Sequence, residues 1–162
     1  MENRERIKMP MAAAAILAVL CFLAGRLLPV HVFKVEGSSM NPTYRSGEFG
    51  LCIKAESYDN GTVVLFRKEK CYVKRVVAGP GDSVLIKNEK LCVNGKEPDW
   101  CGSYASDKNG TAAEPIVLGE GEYFVLGDNR DHSTDSRSGN VGIVKYDEII
   151  GRVLLSRSDI GN

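Results

Sequence analysis

Ser38 and Ser39 stand in the run Val35-Glu36-Gly37-Ser38-Ser39-Met40-Asn41-Pro42-Thr43-Tyr44, and Lys74 follows thirty-five residues after Ser39, in Tyr72-Val73-Lys74-Arg75-Val76-Val77. A serine hydroxyl is a weak nucleophile at neutral pH and attacks a substrate only when a neighbouring group takes its proton. A lysine amine can do this if it is held neutral, and a serine paired with a buried lysine is a known alternative to the Ser-His-Asp triad. Lys74 lies in a β-branched, strand-like run where a lysine is out of place. Such a pair leaves His31 and His132 without a task, and His132 reads as a surface turn residue. Each half also has an ordinary reading. Gly-Ser-Ser is a common flexible turn, and a strand lysine often guards an exposed edge against pairing with another chain. On these residues alone the ordinary readings are favoured, with Ser38 and Ser39 as rivals.

A third stretch changes the weighing. Gly127-Asp128-Asn129-Arg130-Asp131-His132-Ser133-Thr134-Asp135-Ser136-Arg137 packs charges around a short hydroxyl run. Together with Gly37 to Thr43 and with Tyr72 to Asp82 (YVKRVVAGPGD), it resembles the three ordered motifs of the type I signal peptidases, membrane-anchored serine proteases. With the apolar segment before them, these motifs cover nearly the whole chain, and the third is the most specific.

The resemblance implies Ser39, immediately before Met40, as nucleophile and Lys74 as general base. It also implies that Ser133 hydrogen-bonds the Lys74 amine, that Asp135 and Arg137 brace the site, and that Asp128 pairs with Arg75. The family often carries a hydroxyl two positions before the nucleophile to help bind the oxyanion. This chain has Gly37 there, so a backbone N–H is expected to serve instead. It departs from the family again at Gly61-Thr62, where Gly-Asp is usual, and at Ser138-Gly139, where an aromatic-Gly pair is usual. The implied substrates are secretory pre-proteins with small residues, commonly Ala, one and three positions before the cleaved bond. Neither a metal nor an organic cofactor is implied.

The elements that must position these residues begin with an anchor. Met9 to Gly25 is uncharged and almost wholly apolar, and the apolar character resumes after Arg26. Roughly 20 residues at about 1.5 Å each span a hydrocarbon core of about 30 Å. Residues 9–29 are therefore expected to form one transmembrane helix, after a short cytoplasmic stretch 1–8. Arg4, Arg6 and Lys8 lean toward a cytoplasmic N-terminus against Arg26 and Lys34 on the other side. A cleavable secretory signal shares the basic start and apolar run, but no small-x-small site closes this one. Residues 30–162 are expected to form an extracytoplasmic, mostly β catalytic domain with a small insertion near 98–121. The expected setting is the plasma membrane, crossed once, with the lipid bilayer as a partner and the protein monomeric.

The 162 residues suit one domain plus an anchor, and 21 basic against 21 acidic residues leave no field that would attract nucleic acid. Glu48 to Ala55 and Thr62 to Arg67 read as strands joined through the turn signal Asp59-Asn60-Gly61. Arg67 to Lys70 reads as a solvated tip, Cys71 to Ala78 as the returning strand, and Ser83 to Lys87 with Lys90 to Val93 as a hairpin. Tyr123 to Leu126 and Glu148 to Ser156 complete the expected strands. Cys92 with Cys101, and Cys52 with Cys71, are feasible disulfide pairs, though spacing cannot fix connectivity. Two other functions remain open on the sequence. One is a Ser-Lys peptidase dedicated to a conjugation or pilus substrate or to self-cleavage; the other is an inactive membrane-tethered β-domain that binds peptides.

Overall fold

The computed structural model describes residues 30–99 and 112–155; the expected membrane helix at 9–29, the stretch 1–8 and Cys101 lie outside them. Among the described residues no helix is long and apolar enough to cross a membrane. The chain is mostly β. Its strands are β1 (Val30–Lys34), β2 (Phe49–Ile53), β3 (Val63–Arg67), β4 (Cys71–Ala78), β5 (Ser83–Lys87), β6 (Lys90–Val93), β7 (Ile116–Val117), β8 (Glu122–Leu126), β9 (Val144–Lys145) and β10 (Ile149–Leu155). A seven-stranded sheet has the order β1-β2-β10-β3-β4-β8-β9, and a three-stranded sheet the order β6-β5-β7.

The β-branched runs form strands where the sequence predicts them, within a residue or two at the ends. The β5–β6 hairpin closes through Asn88 and Glu89, both with left-handed φ of 50° and 61°, so that Lys87 faces Lys90. Three strands were not predicted: β1, β7 and β9. β7 lies inside the 98–121 stretch that reads as loop, and it pairs with β5 through Ser83–Val117 and Val84–Ile116.

β2 and β3 are joined through the expected turn but are not neighbours in the sheet. The Asp59-Asn60-Gly61 turn forms, with Thr62 N–H donating to Asp59 O at 3.0 Å, but β10 enters between the two strands and pairs antiparallel with both. Gly151 permits this, because a Cβ there would lie 2.5 Å from the Ile53 backbone. Lys54 fastens the approach by donating to Tyr146 O and Ile149 O at 2.8 and 2.5 Å. The tip after β3 is not wholly solvated either: Lys68 Nζ is held by Glu148 at 2.6 Å and by Ile143 O at 3.1 Å. Cys52, Cys71 and Cys92 are free thiols, so the feasible Cys52–Cys71 pair is not formed; the other feasible pair involves Cys101, outside the described residues. Burial, followed by the neighbouring Cys71, pushes the Cys52 thiol up to about 11.

Three apolar clusters hold the sheets. Val77, Val84, Leu91, Leu118, Phe124 and Leu126 join the small sheet to β4 and β8. Val64, Phe66, Val76, Val125 and Ile149 pack with Tyr58 and Tyr123. Val35, Met40, Tyr44 and Val63 form the third, with Phe33, Val73 and Val153 against it, and this one carries the serine loop. Phe124 is fully buried. Phe124→Ala is expected to cost about 3–5 kcal/mol of unfolding free energy. Val117→Thr, at a position 71% exposed, is expected to change it by no more than about 0.5 kcal/mol. Urea denaturation of the two variants checks the contrast.

Candidate active site

The serine loop leaves β1 and is pinned at its base by two backbone bonds, Val35 N–H to Glu48 O at 2.7 Å and Gly47 N–H to Val35 O at 2.8 Å. Met40, 2% exposed, and Tyr44, 7% exposed, sink into the third cluster. Ser39, one residue before Met40, is thereby held half-buried while Ser38 stays exposed. Gly37 turns the chain with φ +84°, a left-handed value that glycine adopts without steric cost. Its N–H donates to Ser46 Oγ at 3.2 Å, so it is not free to serve an oxyanion. The Ser39 N–H, by contrast, meets no acceptor among the described residues.

Lys74 comes from β4, which pairs with β3 on one side, Val64 facing Lys74, and with β8 on the other. It is therefore not an edge lysine. Its side chain is 3% exposed, and Nζ donates to Ser39 Oγ at 2.7 Å and to Val73 O at 2.8 Å. Burial disfavours the ammonium and dominates, pushing the Lys74 pKa down to about 8. Asp135 and Asp128 oppose the shift, whereas Lys70 adds to it. The Tyr72 ring, with its centroid 5.7 Å from Nζ, also favours the charged form.

The third motif wraps the back of this pair. Asp135 is fully buried, and its carboxylate accepts from Arg137 Nε and NH2, both at 2.8 Å, and from Gly127 N–H at 3.0 Å. Arg137 also donates to Arg130 O at 2.7 Å, and Arg130 Nε to Gly127 O at 2.8 Å. A buried ion pair is tolerable only when its remaining donors and acceptors are satisfied in this way. Asp128 binds Arg75 through two bonds of 2.8 and 2.6 Å, and accepts from the Thr43 hydroxyl at 2.6 Å. Asp128 thus pairs with Arg75 as expected, and Asp135 pairs with Arg137.

Ser133 differs from expectation. Its Oγ is buried without a partner, and the Lys74 amine turns to Ser39 and to its own neighbour's carbonyl. The Ser133 side chain lies instead over Gly127, where an added Cβ would collide with Ser133 Oγ and with the Ser39 carbonyl. Position 127 therefore admits only glycine. The sequence reading also missed Asn129, whose backbone N–H donates to Ser39 O at 3.0 Å and whose side chain donates to Ser38 O at 3.1 Å. Its place in the charged motif was the available signal; its partners Ser38, 91 residues away, and the adjacent Ser39 were not. His132 is exposed and borders the groove at Ser39.

The Lys74 shift has a stability consequence with a definite sign. Above about pH 8 the folded chain holds Lys74 neutral, while an unfolded lysine stays protonated to 10.5. Between those values the unfolded state binds the extra proton, so rising pH removes the penalty of burying the charge. Lys74→Met is expected to raise stability at pH 7 by on the order of 3 kcal/mol, with the gain shrinking to nothing as pH rises through that window. Denaturation of both proteins from pH 7 to 10.5 checks it.

A groove of about 700 Å³ runs past Ser39 and Lys74, with apolar walls from Phe33, Val35, Met40, Leu65, Val73 and Ile150. Among the described residues no group of three or more His, Cys, Asp or Glu side chains could hold a metal ion. The sequence pattern of the family described as signal peptidase, peptidase S26, matches residues 8–156. Signal peptidase IB of Staphylococcus aureus is 35% identical over 161 residues, covering 86% of this chain and 83% of that protein. Signal peptidase I T of Bacillus subtilis is 36% identical over 156 residues, covering 85% and 79%. A crystal structure of a signal peptidase I from Enterococcus faecalis is similar over 62% of this chain and 98% of that one, at 28% identity and a TM-score of 0.46. With a pattern running from residue 8 to residue 156 and relatives matched over most of their length, the chain belongs to the signal peptidase family, peptidase S26.

Proposed function

We infer that this protein is a membrane-anchored serine endopeptidase that removes signal peptides from secretory pre-proteins, with Ser39 as nucleophile and Lys74 as general base. The observation that carries the reading is the 2.7 Å contact between Ser39 Oγ and a Lys74 amine that burial has pushed down to about 8. Family membership supports the reaction class, and the relatives, signal peptidases of Staphylococcus aureus and Bacillus subtilis, support the substrate class. The anchor is residues 9–29, and the catalytic domain faces the extracytoplasmic side.

In the mechanism, neutral Lys74 takes the Ser39 proton as Oγ attacks the substrate carbonyl. The oxyanion forms where the unpartnered Ser39 N–H can donate to it. The Lys74 ammonium then gives its proton to the leaving amine of the mature chain, and an acyl-enzyme remains. Water, deprotonated by the same amine, attacks the ester, and the proton returns to Ser39 as the signal peptide leaves. The apolar groove walls suit small side chains such as Ala at one and three positions before the cleaved bond, held in an extended substrate that pairs with a strand edge. An intact serine–lysine contact favours an enzyme over an inactive peptide-binding domain.

The base must be neutral to act, so kcat/KM on an Ala-x-Ala pre-protein should climb with pH and reach half its plateau near the Lys74 value of about 8. Ser39→Ala and Lys74→Ala should fall to background, whereas Ser38→Ala should cleave at close to the wild-type rate. Activity in Lys74→Ala with an unchanged pH profile would sink the lysine-base mechanism.

A further inference from the structure

The unpartnered Ser39 N–H, the oxyanion donor of the mechanism above, belongs to the peptide group whose other half is the Ser38 carbonyl. That group is planar and trans, so the direction of one bond dictates the direction of the other. Whatever holds the Ser38 oxygen therefore aims the Ser39 N–H. Two donors hold it: Asn41 N–H, within the loop, and Asn129 Nδ2, from the third motif, each at 3.1 Å. The Asn129 backbone N–H holds the next carbonyl, Ser39 O, at 3.0 Å. Asn129 follows Asp128, which is bonded to Arg75, the residue after Lys74 on β4. The serine loop and the lysine strand are thus tied together through one adjacent pair of residues.

We propose that Asn129 is a positioning residue for the oxyanion donor: its side-chain amide, by holding the Ser38 carbonyl, fixes the orientation of the Ser39 N–H. This rests on the Ser39–Lys74 reading above. An N–H aimed in advance interacts with the oxyanion more strongly than with the ground-state carbonyl. Asn129 therefore acts on kcat and leaves ground-state substrate binding alone. It makes no contact with Lys74 among the bonds of that amine, which go to Ser39 and Val73. The charged groups that act on Lys74, namely Asp135, Asp128 and Lys70, are untouched by its removal.

The test compares wild type, Asn129→Ala and Ser39→Ala as full-length protein in detergent, with rates expressed per folded enzyme. In Asn129→Ala, kcat should fall on the order of tenfold, short of the hundredfold or more that follows loss of an oxyanion donor itself. KM and the midpoint of the rising pH limb should stay at wild-type values. A peptide aldehyde ending in Ala, whose carbonyl carbon is attacked by Ser39 Oγ as the proton passes to Lys74, should lose affinity in the same proportion as kcat. Wild-type kcat in Asn129→Ala overturns the proposal, as does equal weakening of the aldehyde and of an uncleaved peptide, or a displaced pH limb. Cleavage retained in Ser39→Ala would instead overturn the nucleophile assignment, which separates the two failures.

Discussion

The ammonium of a lysine is poorly tolerated away from water, and this chain places one inside its sheet at 3% exposure. That desolvation pushes the Lys74 amine down to about 8, and it also opposes folding. The surrounding structure keeps the amine dry without supplying a free carboxylate to recharge it. Both nearby acids are already engaged: Asp135 with Arg137 through two 2.8 Å bonds, and Asp128 with Arg75 through bonds of 2.8 and 2.6 Å. A guanidinium on each carboxylate limits how far either can pull the Lys74 equilibrium back toward the ammonium.

The two ion pairs differ in setting. Asp135–Arg137 is almost completely enclosed, with side chains 0% and 3% exposed, and further bonds tie it to Gly127 N–H and Arg130 O within the third motif. Arg75–Asp128 is partly open, at 21% and 12%, and connects β4 to the serine loop through Thr43. Gly127 sits between these pairs, where the Ser39 carbonyl and the Ser133 side chain leave no room for a Cβ. The contact between Ser39 and Lys74 is the shared product of packing under Met40, pairing of β4 on both sides, and the carbonyl bonds made by Asn129.

Much of the scaffold was legible because strands in this chain are written as β-branched runs bounded by Gly, Asn and Asp. β4 to β6 follow the sequence reading, since local pattern and turn chemistry agree there. β7 and β9, two residues each, are too short to carry a period. The insertion of β10 between β2 and β3 was invisible, because it depends on Gly151 meeting Ile53 nearly a hundred residues away. Adjacent strand patterns with a good turn signal read as a hairpin whether or not a third strand separates them.

At the site, residue types in order determined which groups could do chemistry: a serine before Met40, a lysine in an apolar strand and a charged third motif. That Ser39 and not Ser38 meets the amine, the enclosure of Lys74, the engagement of Gly37 N–H by Ser46 and the lack of a Ser133 bond to the amine were decided only in three dimensions. Those outcomes hang on distances of about 3 Å between groups dozens of residues apart, and a hydrogen bond fails when displaced by little more than half an ångström. Sequence specifies the groups and the local backbone that bears them; the partners they reach, and the pKa that results, exist only once non-local strands have paired and water has been excluded.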